Sequence, residues 1–335
     1  MPNRTPDELL SKSAALPEPG EHSGVVAIRR ALTGVDDLLS TGDDRPMSLA
    51  DARRAVTFGW GAYWAGRYEQ LGDMLPDALT AIRRGACSGE TAELAAQLYQ
   101  IAGCTLVHLG HPDAAHMALR EALRLAETGQ DALRPAALRG SLSWLLLTQG
   151  RFSEAYRVAV ATAESVSPGR DTELPRMSLW GSLVLSGATA AGRDGRAEEA
   201  EHLLGEAADV ARHTGHRSDY ECAFGPDQVT MQTVDVQVVT ERYGPALKTA
   251  RHMPRSTPLP LAAKARHLSD RALCHARLGQ DAPALDVLLA MEGTAPKWSR
   301  YQAQPRGIVR ELLEREKRVR TPRLRELAHR MSVTA

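Results

Sequence analysis

A short turn that recurs six times constrains this 335-residue chain more than any other feature. It has the form glycine, polar residue, three variable residues, then a small or apolar residue. It reads AGRYEQL at Gly66, LGHPDAA at Gly110, TQGRFSEA at Gly150, RDGRAEEA at Gly195 and RLGQDAPA at Gly279. ERYGPAL joins the series if Glu241 stands in the glycine place. The anchors are 44, 40, 45, 46 and 38 residues apart. Periods of this length signal a stack of supersecondary units, each too small to bury its own apolar face. A helical pattern flanks every anchor, so each unit reads as a helix hairpin.

Positions not used to find the turns support the same register. Seven residues before the anchors stand Gly59, Gly103, Ser143, Ala188, Val234 and Ala272. Five residues after them come Leu71, Ala115, Ala155, Ala200, Ala246 and Ala284, and twelve after come Ala78, Ala122, Thr162, Ala207, Met253 and Met291. Small side chains at these points let two antiparallel helices approach closely. The three columns resemble the tetratricopeptide (TPR) pattern, with a period longer than the usual 34 residues. Longer helices, or linkers such as 165–175 and 253–260, would supply the excess. The expected fold is all-α: a right-handed solenoid of about six TPR-like hairpins with a C-terminal capping helix. The expected division is a polar segment over 1–24, the repeat domain over 25–300 and the helical cap over 301–335.

Composition agrees. Hydrophobic residues make up 43% of the chain and aromatics only 4%, which suits helix packing better than sheets. Lys+Arg and Asp+Glu stand at 41 each, so the chain carries no overall basic footprint for nucleic acid. The cysteines Cys87, Cys104, Cys222 and Cys274 form no CxxC pair, which fits a reduced, cytoplasmic setting. No signal peptide and no membrane span is expected. At helix ends, Ser48-Leu-Ala-Asp51 reads as a capping-box-like start, Pro226 as a first helical residue and Thr321-Pro322 as a break before a closing helix.

A solenoid of helix pairs lines its concave face with the first helix of each pair. Thirteen, six and two residues before the anchors, the TPR frame collects Arg53, Trp60 and Trp64, then Gln97, Cys104 and His108, then Ala137, Trp144 and Thr148. Later repeats add Ser182, Thr189 and Arg193, then Gln228, Asp235 and Val239, then Arg266, Leu273 and Arg277. Trp is a frequent binding anchor, although a buried Trp is more often packing. The candidate groove residues are Arg53, Trp60, Trp64, Gln97, His108, Trp144, Thr148, Arg193, Gln228, Asp235, Arg266 and Arg277. They outline a groove with an aromatic N-terminal half and an arginine-bearing C-terminal half. No catalytic residue, metal ligand set or cofactor is expected. Motifs for nucleotide loops, zinc proteases and serine hydrolases are missing. Cys104 with His108, His111 and His116, and His213-x-x-His216 with Cys222, read as incidental rather than as zinc sites. Arg83-Arg84 and the basic run 315–323 read as solvated helix ends.

The closing text QPRGIVRELLEREKRVRTPRLRELAHRMSV, with AGRYEQLGDMLPDAL, DYECAFGPDQV and ARHLSDRALCHARLGQDAPALDVLLAME, resembles the sensor domain of Xre-type helix-turn-helix bacterial transcriptional regulators. The resemblance spans most of 25–333. It implies a non-catalytic sensor that takes a peptide, small effector or protein partner in its groove, often as a homodimer. Only some 25 residues precede the first sensor-like helix VVAIRRAL. A recognition-helix unit needs about three helices, so DNA contact is expected only through a missing or separate helix-turn-helix. The alternative is a free-standing TPR adaptor that docks a protein through the groove.

Overall fold

A computed structural model describes residues 23–34, 47–85, 89–169, 172–315 and 321–333. The expected segment 1–24 lies almost wholly outside them. Each recurrent turn is a helix stop followed at once by a helix start. The anchors Gly66, Gly110, Gly150, Gly195 and Gly279 have φ between 66° and 82°, and Glu241 takes the same left-handed conformation at 59°. In every case the next residue's N–H reaches back five residues, as in His111 N to the Leu106 carbonyl at 2.9 Å and Arg242 N to the Gln237 carbonyl at 2.7 Å. These are Schellman closures, which satisfy the last carbonyls of the first helix. The second helix then begins two residues after the anchor.

The six pairs are α2 (Leu49–Trp64) with α3 (Tyr68–Arg83), α4 (Gly89–His108) with α5 (Pro112–Ala126), and α6 (Arg134–Thr148) with α7 (Phe152–Ser165). They continue as α8 (Leu174–Arg193) with α9 (Ala197–Thr214), α10 (Pro226–Val239) with α11 (Tyr243–Ala250), and α12 (Leu261–Arg277) with α13 (Asp281–Thr294). Before them, α1 (Ser23–Thr33) packs on α3 and touches α5. After them, α14 (Pro296–Tyr301), α15 (Ala303–Arg315) and α16 (Pro322–Arg330) cover the end of the stack. The described residues contain no strand, and the architecture is an all-α helical-repeat solenoid.

The small-residue columns lie inside the pairs. All six residues five places after the anchors, from Leu71 to Ala284, are fully buried. A Cβ at Gly103 would stand 2.6 Å from Leu119 Cγ and 3.3 Å from the Ala115 carbonyl. Ser143 Oγ donates across the pair to the Ala155 carbonyl at 2.8 Å. The extra period length comes from 20-residue first helices, α4 and α8, and from irregular stretches around 215–225 and 251–260. The fifth pair has the shortest second helix, α11, with only 8 residues. Met253 therefore falls beyond the helix and is only half buried.

The capping expectations hold. Ser48 Oγ accepts the Asp51 N–H at 3.2 Å, and its hydroxyl donates to the Asp51 carboxylate at 2.6 Å. Pro226 opens α10 and Pro322 opens α16. The superhelix also returns on itself, which the repeat register did not predict. One hydrophobic cluster joins Val25, Trp60 and Leu71 to Ala265, Leu285 and Trp298. Lys297 Nζ of α14 meets Glu69 of α3 at 2.5 Å.

Candidate binding site

The first helices of the early pairs bring Trp60, Trp64 and Trp144 to one chamber on the concave face, with a volume of about 170 Å³. Trp60 and Trp64 sit one helical turn apart on α2, a spacing that puts both on the same face. Their rings are near parallel at 6.1 Å between centroids. Tyr63 meets Trp64 edge-on at 4.9 Å. His108 joins them from α4: its ring lies 5.2 Å from Tyr68 and 5.1 Å from Trp144, and its Nε2 is 3.2 Å from the Tyr63 hydroxyl. Burial lowers the His108 pKa to about 4. At neutral pH it is an uncharged ring in an aromatic cluster.

The rest of the lining mixes small polar groups with the apolar Leu183, Leu185 and Ala223 and is almost uncharged. Gln100, Ser141, Ser182, Ser186, Gln228 and Gln232 face the space, with Glu221 the one acid. Gln100 Nε2 donates to Ser141 Oγ at 3.0 Å, while its Oε1 is buried without a partner. Trp60 Nε1 and Gln228 Oε1 are likewise buried and unpartnered. Buried polar atoms are normally satisfied, and these three, among other such atoms in the protein, belong to groups that line one small cavity. Cys104 and Cys222 also face the chamber. Burial pushes their thiols up, to about 12 and about 11, so neither is a thiolate nucleophile at neutral pH.

One wall comes from outside the repeat. After α9 the chain folds into a tight loop, with Arg217 and Phe224 exchanging backbone hydrogen bonds at 2.9 Å. Phe224 packs on Gly181, where any Cβ would overlap its ring. Tyr220 and Glu221, both at positive φ, are thereby carried into the groove. Trp64 Nε1 donates to Glu221 Oε2 at 3.1 Å. Tyr220 donates to Asp131 at 3.2 Å, and the Arg134 guanidinium lies 5.1 Å from its ring.

The other candidate groove residues are distributed differently. Gln97 is half buried but does not line the chamber. Arg53 pairs with Glu90 at the exposed edge. Thr148 is exposed and bonds the Leu145 carbonyl within its own helix at 2.7 Å. Arg193, Asp235 and Arg266 do meet, as an internal ion cluster rather than a basic surface. Arg193 grips Asp235 with two bonds of 2.6 and 2.7 Å, and Arg266 adds a third at 2.8 Å. Burial alone would raise the Asp235 pKa, but the two guanidinium groups outweigh it and hold it down to about 2. Asp270 beside them is pushed up to about 6 by burial and accepts from Gln304 at 2.8 Å. Arg277 is exposed and pairs with Glu311 of α15 at 2.7 Å. The arginines expected to serve a ligand in the C-terminal half are thus engaged by the protein's own carboxylates. Among the described residues no three His, Cys, Asp or Glu side chains stand close enough to hold a metal ion. No helix there is long and apolar enough to cross a membrane.

Fold and chamber together define an all-α helical-repeat protein with one small cavity that Trp60, Tyr63, Trp64 and Trp144 help to wall. No family model matches the chain, and no curated protein matches it. Among solved structures it is similar to one described as "Functional Characterization of Pseudomonas Aeruginosa pilF", at 16% identity and a TM-score of 0.40, over 75% of this chain and 96% of that one.

Proposed function

We propose that the chain is a non-catalytic recognition protein whose aromatic chamber receives one flat side chain or ring of a peptide or protein partner. The observation that carries this reading is the unpartnered Trp60 Nε1, Gln100 Oε1 and Gln228 Oε1 around a cavity walled by three tryptophans. Its size favours a partial ligand. Whole small-molecule sites occupy about 300–1,000 Å³, and this chamber, at about 170 Å³, suits one anchoring group of a larger partner lying along the groove. Aromatic anchors seated in closed pockets supply most of the energy of such contacts.

In the regulator reading that the family resemblance implies, occupancy would change the activity of an associated helix-turn-helix unit, with the chain working as a cytoplasmic homodimer. A free-standing adaptor is the alternative. The free, largely buried thiols of Cys104 and Cys274 suit either in a reducing compartment. The test is to pan a random peptide library on the full chain and measure the selected peptides against two variants. Ser186→Phe fills the chamber and Trp144→Leu removes a wall. Peptides that bind the wild type and lose about tenfold or more in both variants, each retaining its helical content, support the reading. Peptides that bind all three proteins equally would overturn it.

A further inference from the structure

A second cavity, unrelated to the aromatic chamber, opens between the fifth and sixth hairpins. Because α11 ends at Ala250, the chain from 251 to 260 crosses an opening that a longer helix would fill. The space measures about 690 Å³. Its wall holds Arg251, Arg255, Lys264, Arg271, His267 and His275, and no acidic side chain. Arg266 and Arg277 nearby are neutralised by Asp235 and Glu311. The four cations of the cavity form no ion pair among the described residues. Like charges converging on one space repel unless an anion joins them.

His267 supplies an independent sign. It is 3% exposed, lines the cavity, and neither ring nitrogen has a partner. Burial, aided by Arg271, lowers its pKa to about 4. The neutral ring therefore carries one N–H donor and one acceptor, both buried at the margin of the cavity. Leu247, Leu259 and Leu268 make part of the wall apolar.

We propose that this cavity binds a small phosphorylated organic molecule. Arg251 and Arg255 on the loop and Lys264 and Arg271 on α12 would take the phosphate oxygens. His267 would donate to the same group, and the leucines would cover the organic part. Arginine forks match phosphate geometry two bonds at a time, and the volume falls within the range of whole small-molecule sites. No acid is present to favour a cationic ligand.

The test is calorimetric titration of the full chain with ATP, inorganic pyrophosphate, adenosine and a glutamate-rich peptide at physiological ionic strength, where surface charges are screened beyond about 8 Å. The double variant Lys264→Gln with Arg271→Gln removes two cavity charges. Arg120→Gln with Arg157→Gln removes two charges on the third hairpin and the one before it. Saturable binding of ATP or pyrophosphate, weakened about tenfold or more in the first double variant and unchanged in the second, supports the site. Preference for ATP over pyrophosphate supports an organic part lying on the apolar wall, and equal affinity for the two would overturn that part of the proposal. Lack of saturable phosphate binding, equal loss in both double variants, or binding of the peptide alone would overturn the proposal.

Discussion

Glu241 is the one anchor that is not glycine, and replacing it isolates the conformational energy of the repeat turn. A non-glycine residue in the left-handed region costs roughly 1–2 kcal/mol. Glu241 bears that cost at φ 59°, with an exposed side chain that makes no hydrogen bond or ion pair among the described residues. Glu241→Gly removes the strain and increases the freedom of the unfolded chain, which offsets about 0.5–1 kcal/mol. The net expectation is a gain of about 0.5–1 kcal/mol. The mirror experiment is Gly150→Ala. Nothing lies within 4 Å of a Cβ placed there, so its net loss of about 0.5–1 kcal/mol comes from the left-handed φ, less the gain from a stiffer unfolded chain. Solenoids unfold partly unit by unit, so the assay should be local. Amide exchange in α10 and α11 should slow in Glu241→Gly, and exchange in α6 and α7 should quicken in Gly150→Ala, alongside urea midpoints moving in the same directions. A destabilised Glu241→Gly, or a neutral Gly150→Ala, would refute the claim that left-handed closures hold the pairs.

Three further outcomes follow from packing and charge. Gly103→Ala should destabilise the chain by about 1–3 kcal/mol, measured by denaturant unfolding, because the new methyl would overlap Leu119 on the facing helix. His108 has a folded pKa of about 4, below its unfolded value. Its contribution is present above about pH 6.5 and is lost as pH falls toward 4, so the Tm of the wild type should drop more steeply over that window than the Tm of His108→Gln. Asp270 behaves oppositely: with a folded pKa of about 6, its contribution is present below the unfolded value near 3.8 and lost as pH rises through 6. Asp270→Asn, which keeps an acceptor for Gln304, should gain thermal stability relative to the wild type between pH 5 and pH 8.

The hairpins were legible because the turn chemistry is local. A left-handed residue, a helix start two places on, and small residues at fixed offsets all lie within about twenty positions of each anchor. Even Glu241 could be placed, since its neighbours keep the register. The aromatic half of the chamber was legible for the same reason: Trp60, Trp64 and Trp144 occupy groove offsets of the repeat. Tyr63 and Gln100, at other offsets, carried no such mark. Glu221 and Cys222 were illegible because they come from a connecting loop whose course depends on Phe224 seating against Gly181. The arginines of the later repeats were read by charge, and charge alone does not tell a free cation from one already paired with the protein's own carboxylates. Only the positions of Asp235 and Glu311 in space separate Arg193, Arg266 and Arg277 from the uncommitted Lys264 and Arg271. The closure of the superhelix, through Lys297 and Glu69, spans most of the chain and leaves no local pattern.

The central claim, that partners enter the aromatic chamber, is tested most directly by fluorine NMR of the chain labelled with 5-fluorotryptophan. Trp60, Trp64 and Trp144 line the chamber, whereas Trp180 and Trp298 do not, so the molecule carries its own controls. With a peptide selected on the full chain, the account predicts that the three chamber resonances shift or broaden while the other two stay fixed. Tight binding that leaves the chamber resonances unmoved, or that moves only Trp180 or Trp298, would contradict it.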